Sequence, residues 1–132
     1  MQQLSKAIIA KYAATAALMA ALPNGLWDTE APPQTSFPYG VFQLITDTSD
    51  LTFTDSKENC VVQFKIYSDT SGSSVALDAI LKELLAAYNF CELIIDDYTF
   101  LSMRKINIIK NKIEGIWEYL ILFRIVLVEA ET

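Results

Sequence analysis

The sequence contains no histidine. That absence removes the Ser-His and Cys-His nucleophile–base pairs and most zinc and iron ligand sets, all of which need an imidazole. Cysteine is scarce as well. Cys60 and Cys91 stand far apart, with no metal-ligand spacing around either. Cys60 abuts a strand pattern and Cys91 follows Phe90 at a helix exit, so both read as small core residues and not as a disulfide. Glycine is rare and scattered, which leaves no glycine-rich phosphate loop. Long apolar runs are missing too: Tyr119–Val128 is only about ten residues and carries Arg124, against the roughly 20 residues a membrane helix needs. Lys6 and the alanines after it outline a faint export signal. Lys11 falls inside what would be its apolar core, and an amphipathic helix explains the same residues.

What is present points to one domain, residues 1–132, long enough to bury a real core. Hydrophobic residues make up 52% of the chain against 20% charged. That balance leaves apolar surface that calls for a partner. The net charge of −6 argues against gripping nucleic acid or an anionic membrane surface.

Taken in order, Gln2–Leu22 reads as one helix, with Leu4, Ile8, Tyr12, Thr15, Met19 and Leu22 along one face and Pro23-Asn24-Gly25 as its stop. Leu26-Trp27 is a candidate short strand. Pro32-Pro33 is an extended link, and Tyr39–Thr46 a strand buried largely on both sides. The centre of the chain is Asn59–Tyr88. It comprises a strand with Val62, Phe64 and Ile66 on one face, a polar break containing Gly72, and a helix capped by Ser73 or Ser74. In that helix Leu77, Ile80, Leu81, Leu84, Leu85 and Tyr88 form the buried stripe, and Asp78 and Lys82 a surface pair. Phe90–Asp97 is a strand or a link, with Asp96-Asp97 as a turn. Phe100–Ile109 and Ile116–Glu129 form a closing antiparallel hairpin, reversing at Lys110-Asn111-Lys112 and Gly115. In the last strand Trp117, Tyr119, Ile121, Phe123, Ile125 and Leu127 share one face. The expected fold class is therefore α+β: a mainly antiparallel sheet with two helices on one face and a protruding hairpin arm. The expected core joins Ile8, Tyr12, Met19, Phe64, Ile80, Leu84, Phe123 and Ile125.

Thr46–Asn59 is the most polar stretch, with Asp47, Asp50, Asp55 and Glu58 against a single lysine, Lys57, and with Leu51 and Phe53 in its middle. A long hairpin with an acidic skin fits this pattern, and so does a solvated loop with two anchoring side chains. The D-x-D-x-D-G rhythm of a calcium loop is missing. Arg104, Lys105, Lys110 and Lys112 form the one basic cluster. Without interleaved aromatics it reads as a solvated hairpin end or a surface for an acidic neighbour. No catalytic, metal-binding or cofactor-binding residues are expected.

The N-terminal alanine-rich helix, the run Phe37-Pro38-Tyr39-Gly40-Val41-Phe42, and the VQFKIYS strand ahead of SSVALDAILKELLAAY resemble the tail terminator proteins of long-tailed bacteriophages. These are also called tail completion or tail-to-head joining proteins. The resemblance spans Leu4 to Val128 and involves no catalytic signature. It implies an antiparallel sheet with packed helices and a homo-oligomeric ring, a hexamer, at the head-proximal end of the tail tube. That ring ends tube polymerisation, meets the head connector or neck protein, and lets DNA pass through its lumen. The implied location is the virion, with the host cytoplasm during assembly, and no membrane is involved. In such a ring Leu51 and Phe53 are candidate subunit-interface residues, and Asp47, Asp50, Asp55 and Glu58 candidate channel-facing residues. Two alternatives stay open: another phage neck or head-completion adaptor, and, from a different class, a small ligand-binding or enzymatic domain.

Overall fold

A computed structural model describes residues 2–51, 56–69 and 75–129. The elements in order are α1 (Gln2–Ala14), α2 (Ala16–Ala21), β1 (Leu26–Asp28), β2 (Tyr39–Leu51), β3 (Ser56–Ser68), α3 (Val75–Tyr88), β4 (Tyr98–Ile113) and β5 (Ile116–Glu129). The five strands form one sheet in the order β1-β2-β3-β5-β4. Only β1 and β2 are parallel; every other pair is antiparallel. The chain is an α+β domain.

The strands obey the period-two logic of the sequence. Cys60, Val62, Phe64 and Ile66 of β3 and Tyr119, Ile121, Phe123, Ile125 and Leu127 of β5 are all buried. They lie on the face that the helices cover. Phe64 sits at the middle of that face, its ring centroid 5.3 Å from Phe123, 5.0 Å from Tyr88 and 5.9 Å from Phe42. Helix α3 buries Leu77, Ile80, Leu81, Leu84, Ala87 and Tyr88, the stripe its spacing predicts. The proposed cap, Ser73 or Ser74, lies outside the described residues.

The first helix departs from expectation. It breaks at Thr15, whose backbone is extended (φ −110°, ψ 94°). The Thr15 hydroxyl donates to the carbonyl of Lys11 at 2.7 Å, a bond to the preceding turn that bends helices, in a β-branched residue already poor at helical positions. The break rotates the following turn. Leu18 becomes fully buried while Met19 is 42% exposed, so Met19 is not part of the core. Tyr12 still belongs, half-buried, and donates to the Leu22 carbonyl at 2.6 Å.

Two strand readings also change. Within Tyr39–Thr46, strand β2 is buried at Gly40, Val41 and Phe42, whereas Gln43 and Ile45 are exposed. The chain does not reverse at Lys110–Lys112, because β4 runs on to Ile113. The turn is Glu114-Gly115, both with positive φ (51° and 81°). Such a two-residue turn matches the twist of a hairpin and suits glycine at its second position. Gly40 is needed for a different reason: a Cβ there would lie 3.0 Å from Leu26 Cδ1 and 3.3 Å from Leu22 Cδ1, so its small size lets the α2–β1 link rest on the sheet.

Candidate assembly surface

The acidic stretch is a hairpin. β2 and β3 pair from Tyr39↔Tyr67 out to Leu51↔Ser56, with a register shift between Leu44 and Thr46. The β3 leg also pairs with β5 as far as Lys57↔Val128. The base of the hairpin is thus part of the sheet, and only its end extends past β5. Cross-strand partners share a face. Asp47↔Cys60 and Glu58↔Leu127 therefore place both carboxyl groups on the helix-covered side. Asp47 is exposed and Glu58 half-buried. Asp50 and Leu51 are placed by their backbone register at the end of β2; Phe53 and Asp55 lie outside the described residues.

Asp47, Glu58 and Cys60 bring two carboxylate oxygens and a thiol within 4.8 Å of one another. Burial, then the charges of Asp47 and Glu58, then a hydrogen bond to Asp47, push the Cys60 thiol up to about 12. Its sulfur keeps its proton at neutral pH, which makes it a poor nucleophile. Cys60 and Cys91 are both free thiols. Cys91 is also shifted upward, mainly by burial, and its Sγ lies 3.7 Å from Met103 Sδ.

Among the described residues, the other face of the sheet carries no helix. The loop of residues 29–35 stands over its β2–β3 side, enclosing a cleft of about 380 Å³ with Tyr39, Val41, Gln43, Gln63, Lys65 and Tyr67. Tyr67 is held protonated to about 12 by burial and by the charge and hydrogen bond of Glu118. Amides and hydroxyls line the cleft together with the Glu30 carboxylate and the Lys65 ammonium. Beyond it, β5 and β4 show Leu120, Leu122, Val126 and Ile109 around two arginines, Arg104 and Arg124, directly opposite in register. Both arginines are exposed.

The basic cluster is split between the two faces. Arg104 lies on the open face. Lys110 and Lys112 pair with Tyr119 and Trp117 and so lie on the helix side. There Lys110 Nζ is 3.4 Å from Asp78 Oδ1, which also accepts from the Tyr119 hydroxyl at 2.8 Å. Lys110 and Lys112 each sit 5.1 Å from the ring centroid beneath them, Tyr119 and Trp117. Asp78, expected to pair with Lys82, thus fastens α3 to the β4–β5 hairpin. Asp96-Asp97 is an exposed turn, with φ 69° at Asp97. The sequence reading missed the opposed arginines. Alternation alone places both on outward positions, but their meeting depends on the β4 register, which shifts between Phe100 and Ser102 and again between Lys105 and Asn107.

A sheet covered by helices on one face defines a two-layer α+β fold. No protein-family model matches the chain, and a search of curated proteins finds no relative of it. Among solved structures it is similar to a chain of the virion of a native gene transfer agent particle. The TM-score is 0.79 at 17% identity, covering 96% of this chain and 95% of that one. At that identity the likeness is one of fold. Among the described residues, no helix is long and apolar enough to cross a membrane.

Proposed function

We propose that this chain is a structural subunit of a phage-like virion and that it acts by assembling and not by catalysis. The observation that carries this reading is the correspondence of nearly the whole chain with a chain of the gene transfer agent virion. Exposed Ile94, Leu101, Ile106, Ile109 and Ile113 on and beside the edge strand β4 support it. A long apolar sheet edge is an aggregation hazard unless an assembly covers it.

Within that class the role proposed is tail terminator. The chain forms a six-membered ring at the head-proximal end of the tail tube, stops tube growth, and meets the head connector. Leu51 and Phe53 serve the contact between subunits. Acids of the Thr46–Asn59 hairpin that remain free of that contact face the channel, where negative charge repels phosphate and lets DNA slide. Another neck adaptor is the second reading, because the same open face and apolar edge suit either ring.

The test is to remove the chain from a particle-producing system and to image the products. The terminator reading expects tails of irregular length that fail to join heads. Tails of normal length with incomplete necks favour the adaptor. Complete, joined particles would sink both.

A further inference from the structure

At the end of the sheet beside the β4–β5 turn, three aromatic rings stand in a row. Phe37 stacks on Tyr39 with ring centroids 5.5 Å apart. Tyr39 in turn meets Tyr67, its cross-strand partner, at 5.1 Å. A groove of about 280 Å³ joins these rings to the turn. Its two carboxyl groups come from Glu118, directly opposite Tyr67 in register, and from Glu114. Ile113 and Ile116, both exposed, form an apolar lip. Among the described residues, no lysine or arginine lines the groove.

Glu118 is half-buried and accepts a hydrogen bond from the Tyr67 hydroxyl. That bond holds the carboxylate beside the ring, and a carboxylate with four acceptor sites can still take more. Aromatic surface next to a fixed carboxylate suits a flat cation. A guanidinium stacks on the rings and offers paired N–H groups to the carboxylate, whereas a lysine ammonium is a hydrated point charge. This chain does not hold a suitable donor. Its two arginines, Arg104 and Arg124, lie opposite each other in mid-strand, in the flat of the sheet and not on a segment able to enter a groove. The occupant is therefore foreign.

We propose that the Tyr39–Tyr67–Glu118 groove binds an arginine side chain carried on an extended, apolar-flanked segment of a different virion protein. The inference rests on the virion-subunit reading above and names the chemistry by which a neighbour is recognised. Ile113 and Ile116 meet the residues flanking the arginine, and the water they exclude strengthens the charge pair.

The test is an NMR titration of the full chain, following the tyrosine rings, with an acetylated and amidated Leu-Arg-Leu peptide. The Tyr39 and Tyr67 signals should shift and saturate. Citrulline, the neutral isostere of arginine, should weaken binding roughly tenfold or more. Glu118→Gln should weaken the arginine peptide by a similar factor and leave the melting temperature nearly unchanged. The citrulline arm needs no variant, so it decides even if Glu118→Gln unfolds. Equal binding of both peptides, or no shift with the arginine one, overturns the proposal. So does acetylarginine amide binding as tightly as the peptide, which would mark a small-molecule site. If Glu118→Gln abolishes self-association in sedimentation, the groove joins copies of this chain and the proposal also falls. In the particle-producing system, joined particles lost on deletion but kept with Glu118→Gln would remove this site and leave the virion reading in place. Joined particles after deletion would sink that reading itself, and the partner with it.

Discussion

Tyr88, near the end of α3, donates its hydroxyl to the carbonyl oxygen of Ile8 in α1 at 2.8 Å, across 80 residues of sequence. The tyrosine is fully buried, and its ring touches Phe64 and Phe123. One side chain thus ties the first helix, the third helix and the sheet into a single core. Burial also raises its pKa, with lesser contributions from Cys91 and Tyr12, so the hydroxyl stays a donor throughout the physiological range.

Tyr88→Phe keeps the ring and removes the bond. We expect it to cost about 1 kcal/mol, the net worth of a buried neutral hydrogen bond, read as a lower urea midpoint with an unchanged slope. Tyr88→Ala should cost several times more, because it also empties the aromatic cluster.

The break at Thr15 yields a sharper contrast. Leu18→Ala should cost roughly 2–5 kcal/mol, the range for emptying a buried leucine site. Met19→Ala should stay within about 0.5 kcal/mol, as exposed positions do. Equal costs for both would mean that the helix runs unbroken with Met19 inward.

That contrast marks what was legible in the sequence. Strand β3, helix α3 and strand β5 were readable because their apolar residues keep one period over their whole length: Val62, Phe64 and Ile66 at two, Leu77, Ile80, Leu81 and Leu84 at helical spacing. Thr15 hides a break, because threonine also fits the helical stripe and its back-bond to Lys11 is a local competition that periodicity does not register. The end of β4 was lost for a related reason. Lys110 and Lys112 look like turn residues, yet rings of Tyr119 and Trp117 beneath them supply strand partners. Of the assembly surface, the acids and the hairpin pattern were readable one by one. The face each occupies was not, because cross-strand register decides it and three bulges intervene.

Cys60 makes stability depend on alkaline pH. Its folded pKa is raised from an ordinary 9.0 to about 12, so the folded state holds a proton that the unfolded state gives up. The stabilisation is complete below pH 9 and declines as pH climbs toward 12, by at most about 1.4 kcal/mol per pH unit. Between pH 9 and 10, before Tyr67 leaves its own ordinary value of 10.0, the fall is due mainly to the cysteines. Cys60→Ala should therefore lose stability less steeply over that unit in urea titrations. A native thiol that labels rapidly at neutral pH would contradict the geometry around Asp47 and Glu58.

The last expectation concerns Leu51 and Phe53. Leu51 pairs with Ser56, one step beyond Lys57, where β3 last pairs with β5. Phe53 follows two positions later in the sequence, outside the described residues. Hydrophobic residues in so acidic a stretch gain little in an isolated subunit and much against a neighbour. Leu51→Ser/Phe53→Ser should thus leave the monomer's melting temperature nearly unchanged and weaken self-association in sedimentation. If the serine variant unfolds the monomer, the hairpin end is part of the core, and its role between subunits is lost.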